Sequence, residues 1–67
     1  MRFELNGEPR EIPEPLSVEE LLERFDLARR RVAVAINADV VRRSDYARVR
    51  IQSGDRIEVI QAVGGGR

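Results

Sequence analysis

Cysteine, histidine, lysine, threonine and tryptophan are all missing from this chain of 67 residues. Without cysteine there is no disulfide and no thiolate chemistry. Without cysteine and histidine together, the usual ligands of a zinc site are gone. A Ser-His-Asp arrangement needs histidine, and a Schiff base or a phosphate-loop lysine needs lysine. All side-chain positive charge rests on arginine, which stays protonated and is a poor general base. What remains for chemistry is the carboxylates, three serines, Tyr46 and the chain termini. That inventory points away from an independent enzyme.

An excess of charge of either sign is missing too. Twelve basic and twelve acidic residues cancel to a net charge of zero. Such a balance argues against a general affinity for nucleic acid or an anionic membrane. Aromatic residues make up 4% of the chain, which leaves few platforms for stacking bases. Arg29-Arg30-Arg31 and Arg42-Arg43 therefore read as solvated surface balanced by glutamates, not as a nucleic-acid patch. No apolar run approaches the roughly 20 residues of a membrane span. Met1-Arg2-Phe3-Glu4-Leu5-Asn6 alternates and carries charge, unlike the core of a signal peptide. A cytoplasmic protein with no membrane and no nucleic-acid partner is the expectation. Asp39, Asp45 and Asp55 stand in turn-like sequence and lack the spacing of a metal loop, so no metal site is expected.

The residues present supply local signals that agree with one another. Phe3 and Leu5 alternate with Arg2 and Glu4, as in a half-buried strand. Asn6-Gly7 follows, a strong hairpin signal because both residues tolerate positive φ. The return strand is expected over Glu8 to Ile12, at a sheet edge because Pro9 has no amide to donate. Pro13 and Pro15 stop the sheet. Ser17-Val18-Glu19-Glu20 matches a capping box, with Leu16 and Leu21 placed to staple the entry. Val18, Leu21, Leu22 and Phe25 share one helical face, so a helix is expected from Val18 to about Phe25 or slightly beyond.

Arg31 to Ile36 reads as a central strand, with Val32, Val34 and Ile36 facing one way and Ala33 and Ala35 the other. Asn37-Ala38-Asp39 suits a turn and Val40-Val41 a short strand. Arg42 to Arg50 has no clean period, and turns or a short helical piece are expected around Ser44 to Ala47. Tyr46 reads as a packed or half-exposed ring. Ser53-Gly54-Asp55 is a tight turn before a last strand over Ile57 to Gln61, with Ile57 and Val59 inward. The sum is an α+β domain: a mixed four- to five-stranded sheet with one main helix packed across it. The first and last strands are expected side by side and parallel, as in a β-grasp. The domain spans 1–63, and a flexible glycine tail occupies 64–67.

Gly64, Gly65 and Gly66 have high backbone entropy and no side chains to pack. One reading is a frayed terminus. The other is a thread narrow enough for a channel that excludes any β-carbon, reaching about 13 Å from Val63 to Gly66 when extended. Ordering such a thread is entropically unfavourable, so a folded surface must supply most of the affinity for a partner. The outward face of the last strand leads into the tail. Glu58 and Ile60 should point outward there, with Val63 at the root of the tail and Ala33 and Ala35 on the same face. Ile60 would be the apolar anchor, rimmed by Glu58 and arginines.

The chain resembles the ThiS-type sulfur carriers of thiamine biosynthesis over essentially its whole length. The resemblance rests on the N-terminal strand, Val32-Ala33-Val34-Ala35-Ile36-Asn37, Val40-Val41-Arg42-Arg43, Gly54-Asp55-Arg56-Ile57-Glu58-Val59 and the Val63-Gly64-Gly65-Gly66 ending. It implies a ubiquitin-like β-grasp fold and a non-enzymatic carrier. In the family, an E1-like adenylyltransferase uses ATP to activate the terminal glycine carboxylate, which is then converted to a thiocarboxylate. Sulfur arrives through a cysteine desulfurase or a rhodanese-like protein and is passed to thiazole synthase. By this resemblance Gly66 and Gly65 form the sulfur-carrying terminus and Gly64 the thread. No cofactor is expected on the chain itself, ATP belonging to the activating partner. Arg67 departs from the pattern, because the family's reactive glycine comes last. Other outcomes in keeping with the sequence are a sulfur carrier for molybdopterin, tRNA thiolation or cysteine synthesis, and a β-grasp interaction module with an idle tail.

Overall fold

A computed structural model describes residues 1–28 and 31–61. Strands β1 (Arg2–Leu5) and β2 (Glu8–Glu11) are followed by helix α1 (Val18–Arg24). Then come β3 (Val32–Ile36), β4 (Asp39–Val41), a single 3-10 turn over Arg43–Asp45, and β5 (Arg56–Gln61). The five strands form one mixed sheet in the order β2-β1-β5-β3-β4. The first and last strands are parallel neighbours, with Glu4 opposite Arg56 and Leu5 opposite Ile57. The other pairings are antiparallel.

The β1–β2 hairpin turns on Asn6 (φ 52) and Gly7 (φ 83), both left-handed, as a two-residue turn requires. Pro9 lies on the outermost strand, where a missing amide breaks no ladder. β2 ends at Glu11, one residue short of the sequence expectation. Ile12 instead buries its side chain and pairs its backbone with Met1.

Helix α1 starts where the capping box places it. The Ser17 hydroxyl accepts from the Glu20 amide at 3.1 Å, and the Glu20 carboxylate accepts from the Ser17 amide at 2.9 Å. The Ser17 amide, foremost, holds the Glu20 carboxyl below its ordinary value of 4.5. The helix ends at Arg24, with Phe25 as its cap rather than its last turn. Asp26 stops it with φ 61, taking the left-handed place usually held by glycine. The Asp26 amide donates to the Glu23 carbonyl at 3.2 Å and the Leu27 amide to the Leu22 carbonyl at 2.7 Å. These two bonds close a Schellman motif, which the sequence hides because no glycine stands there.

β3 begins at Val32, leaving Arg31 outside it, and it lies beside the sheet centre rather than at it. The middle place belongs to β5, which pairs with both β1 and β3. Asn37 (φ 50) and Ala38 (φ 74) make a second two-residue turn, so Asp39 already belongs to β4. β5 starts one residue early, at Arg56.

The segment after β4 packs along the entry to α1. The Val18 amide donates to the Val49 carbonyl at 2.9 Å and the Ile51 amide to the Leu16 carbonyl at 2.8 Å. Tyr46 is half-buried against the core. Phe3, Leu5, Val34, Ile57 and Val59 from the sheet meet Leu16, Val18, Leu21 and Leu22 around the helix, with Ile12 and Ile51 completing the core. Each such side chain contributes about 1.5–3 kcal/mol when fully buried. The helix therefore covers one face of the sheet and leaves the other open.

Candidate functional site

The open face of the sheet is set by strand register. In an antiparallel pair, residues opposite each other project to the same side. Ala33 lies opposite Ile60 and Ala35 opposite Glu58 across β3 and β5. The inward positions of the same strands, Val34 opposite Val59, are buried. Ile60 is 66% exposed, although isoleucine is usually a core residue. Glu58 and Ala33 are also exposed, and Ala35 is half-buried. The four residues chosen on the body from sequence thus come together on one surface.

Val40 belongs to the same surface and was not foreseen. It lies opposite Ala35 across β3 and β4 and is 80% exposed. The signal was available in the turn. A two-residue Asn37-Ala38 connection pairs Ile36 with Asp39 and therefore Ala35 with Val40. Ile60 and Val40 are the exposed large hydrophobic residues among those described. Ala33 and Ala35 lie beside them and add apolar surface without height. Charge surrounds this group: Glu58 and Arg56 are exposed on β5, with Glu4 opposite Arg56 on β1.

Two asparagines brace β5 from its flanks. The Asn6 side chain bonds both backbone groups of Val59, at 2.8 and 3.2 Å. The Asn37 side chain accepts from the Arg56 amide and donates to the Asp55 carboxylate, each at 3.0 Å. Asp55 in turn accepts from the Gln52 amide at 2.8 Å, closing the turn ahead of β5. No signal beyond turn propensity marked either asparagine in the sequence.

The face runs along β5 to Gln61, the last described residue. Val63, Gly64, Gly65, Gly66 and Arg67 lie outside the described residues, as do Arg29 and Arg30. Among the described residues no three acidic side chains converge as a cation site would need. Among the described residues no helix is long and apolar enough to cross a membrane.

The ThiS family model matches residues 3–66. The chain belongs to the ThiS family. It is 40% identical over 50 residues to the sulfur carrier protein ThiS of Escherichia coli strain K12, a match covering 75% of this chain and 76% of that one. A thiazole synthase of Paramagnetospirillum magneticum is 38% identical over 66 residues, or 98% of this chain. The ThiS-family chain spans 20% of that relative's length. The crystal structure of the thiamine biosynthesis protein ThiS from Geobacter metallireducens superposes with a TM-score of 0.85 at 32% identity, covering 98% of this chain and all of that one. The mixed five-stranded sheet with its single helix is thus the ThiS β-grasp.

Proposed function

We propose that this ThiS-family chain is a sulfur carrier of thiamine biosynthesis that works through the carboxylate of Gly66. The observation that carries the reading is the extent of the family match, which runs through Gly66 and stops before Arg67. The chemistry of the chain supports it. With no cysteine it cannot hold sulfur as a persulfide of its own, so a terminal carboxylate is the place left for it.

Gly66 is followed by Arg67, so a peptidase must first hydrolyse the Gly66–Arg67 bond, releasing arginine and freeing the Gly66 carboxylate. A carboxylate is a poor electrophile and needs activation. An E1-like adenylyltransferase binds ATP, and a Gly66 carboxylate oxygen attacks the α-phosphorus while pyrophosphate leaves. The product is an acyl-adenylate. Sulfur delivered by a cysteine desulfurase or rhodanese-like protein displaces AMP. The delivered sulfur is the outer atom of a persulfide, so the product is an acyl disulfide still joined to the donor's cysteine sulfur. A thiol then attacks that cysteine sulfur, forms a disulfide with it and releases the thiocarboxylate. Thiazole synthase accepts that sulfur. The carrier itself contributes a slender thread and a docking face made of Ile60, Val40, Ala33 and Ala35 with Glu58 beside them.

Pyrophosphate exchange tests the reading. The chain ending at Gly66 should support ATP-dependent exchange with its adenylyltransferase, and the chain carrying Arg67 should not, because a charged side chain would occupy the nucleotide site. Equal exchange by both forms would sink the assignment of Gly66. No exchange by either would sink the carrier reading. Intact-mass measurement of the activated chain in the presence of a sulfur donor would then show one terminal oxygen replaced by sulfur.

A further inference from the structure

β1 stops at Leu5, but β5 runs on to Gln61. On the β1 side of β5, the Asp55 carbonyl accepts from the Glu4 amide at 2.9 Å and the Ile57 carbonyl from the Asn6 amide at 2.8 Å. The next groups facing that way are the N–H and C=O of Val59. The chain has turned away at Asn6 and Gly7, so no backbone of β1 remains to meet them. The Asn6 side chain meets them instead. Its Oδ1 accepts from the Val59 N–H at 2.8 Å, and its Nδ2 donates to the Val59 C=O at 3.2 Å. A carboxamide is flat and holds a donor and an acceptor side by side, as a peptide group does. It takes the part of a strand residue that is not there. The turn itself asks only for positive φ, which a glycine in its place would also adopt. The two side-chain bonds are additional to the turn.

We infer that Asn6 is a positioning residue for the carrier terminus, fixing the point where β5 ends and the glycine thread begins. The inference rests on the reading of Gly66 as the activated terminus. Val59 is followed by the docking residue Ile60 and then by Gln61. Among the described residues, the other strand neighbour of β5 from Val59 onward is β3 alone, through Val34, Ala33 and Val32. Val59 is buried, and a buried N–H and C=O without partners are unfavourable. Removing the amide therefore favours melting of the strand end. Each residue released adds about 3.3 Å of slack to the thread. It also takes Ile60 from its place opposite Ala33. A partner that grips the face and the thread together then meets a ligand of the wrong spacing, and the terminus is less concentrated at the reacting site.

Two variants separate the amide from the turn. Asn6→Gly keeps the left-handed conformation and deletes the side chain. Asn6→Asp keeps the shape and replaces the donor by a second acceptor. Both should speed amide hydrogen exchange at Val59 and Ile60 by about 10-fold or more, leaving the helix amides of Leu21 and Leu22 within about 2-fold. In pyrophosphate exchange, both chains ending at Gly66 should show a KM about 10-fold higher, with kcat within about 2-fold. Below about pH 4 the Asn6→Asp side chain protonates and regains a donor beside its acceptor. Its amide exchange at Val59 should then approach that of the unaltered chain at the same pH, whereas Asn6→Gly should gain nothing. Unchanged exchange at Val59 and Ile60 in both variants would overturn the inference and leave the carrier reading intact. So would exchange that rises equally in the helix, which would mark a general loss of stability, or local fraying with an unchanged KM. Should Asn6→Asp fail to fold, Asn6→Gly decides alone. Failure of the unaltered chain ending at Gly66 to be activated would overturn the carrier reading and with it the role assigned to Asn6.

Discussion

Ile60 stands directly opposite Ala33 on the open face of the sheet, a large exposed aliphatic side chain beside a methyl group. The pairing has a mechanical consequence. Alanine gives Ile60 no neighbour tall enough to cover it, so its apolar surface stays in water. Val40 repeats the arrangement against Ala35 one strand further out. Two exposed hydrophobic side chains flanking two small ones leave a shallow apolar area open to a partner, beside the strand that leads to the glycines.

Truncating Ile60 should therefore separate binding from folding. Its side chain is 66% exposed, so Ile60→Ala should change folding stability by no more than about 0.5 kcal/mol. A buried interface anchor is worth about 2 kcal/mol or more on truncation, roughly 30-fold in affinity. Titration of the adenylyltransferase with Ile60→Ala and Ile60→Glu chains should show a loss of that order, larger for the glutamate. Denaturation midpoints should barely move. Affinity that stays the same in both variants would remove this face from the interface.

The tail glycines should behave in the opposite way from the core. Gly65→Ala or Gly66→Ala adds a β-carbon, which narrows the backbone's choices and widens the thread. Activation should fall by about 100-fold, the order expected when a reacting group is misplaced by about 1 Å. Thermal unfolding should be unaltered. A lowered melting temperature with normal pyrophosphate exchange would instead make the tail part of the folded body.

Much of the fold was legible because local signals and burial agreed. Ser17 and Glu20 announced the helix start, and the alternation of Ile57 and Val59 with Glu58 and Ile60 gave the inside and outside of β5. Ala33 and Ala35 fell on the open face for the same reason. The end of α1 was not legible, since Asp26 holds a left-handed conformation that sequence assigns first to glycine. Ile51 was not legible as core either. It is buried to 1% exposure just after the segment Arg42 to Arg50, which has no period, because its amide bonds the Leu16 carbonyl and brings the chain there against the helix entry. Such a contact depends on the tertiary fold and leaves no local pattern. Asn6 was read as a turn residue, and its second part, bonding a residue 53 positions away, needs the parallel pairing of β1 and β5 to be known first.

The capping box should give the fold a particular response to acid. The Glu20 carboxylate accepts from the Ser17 amide, and that bond, with smaller help from the Ser17 hydroxyl, Arg50 and Arg24, holds its pKa below the ordinary 4.5. A carboxyl whose pKa is lower folded than unfolded stabilises the fold fully above the unfolded value. The stabilisation is lost as pH falls from about that value through the lower folded one. Glu20→Gln keeps an acceptor for the Ser17 amide but has no charge to lose. The stability difference between the unaltered chain and Glu20→Gln should be constant above the ordinary value of 4.5 and shrink below it. Every other residue is the same in both proteins, so the difference isolates Glu20. Ser17→Ala removes the reciprocal half of the box and should lower stability by about 1 kcal/mol at neutral pH. Urea midpoints measured from pH 7 to pH 3 provide the comparison, and parallel curves for the unaltered chain and Glu20→Gln would show that the Ser17 amide does not favour the charged form.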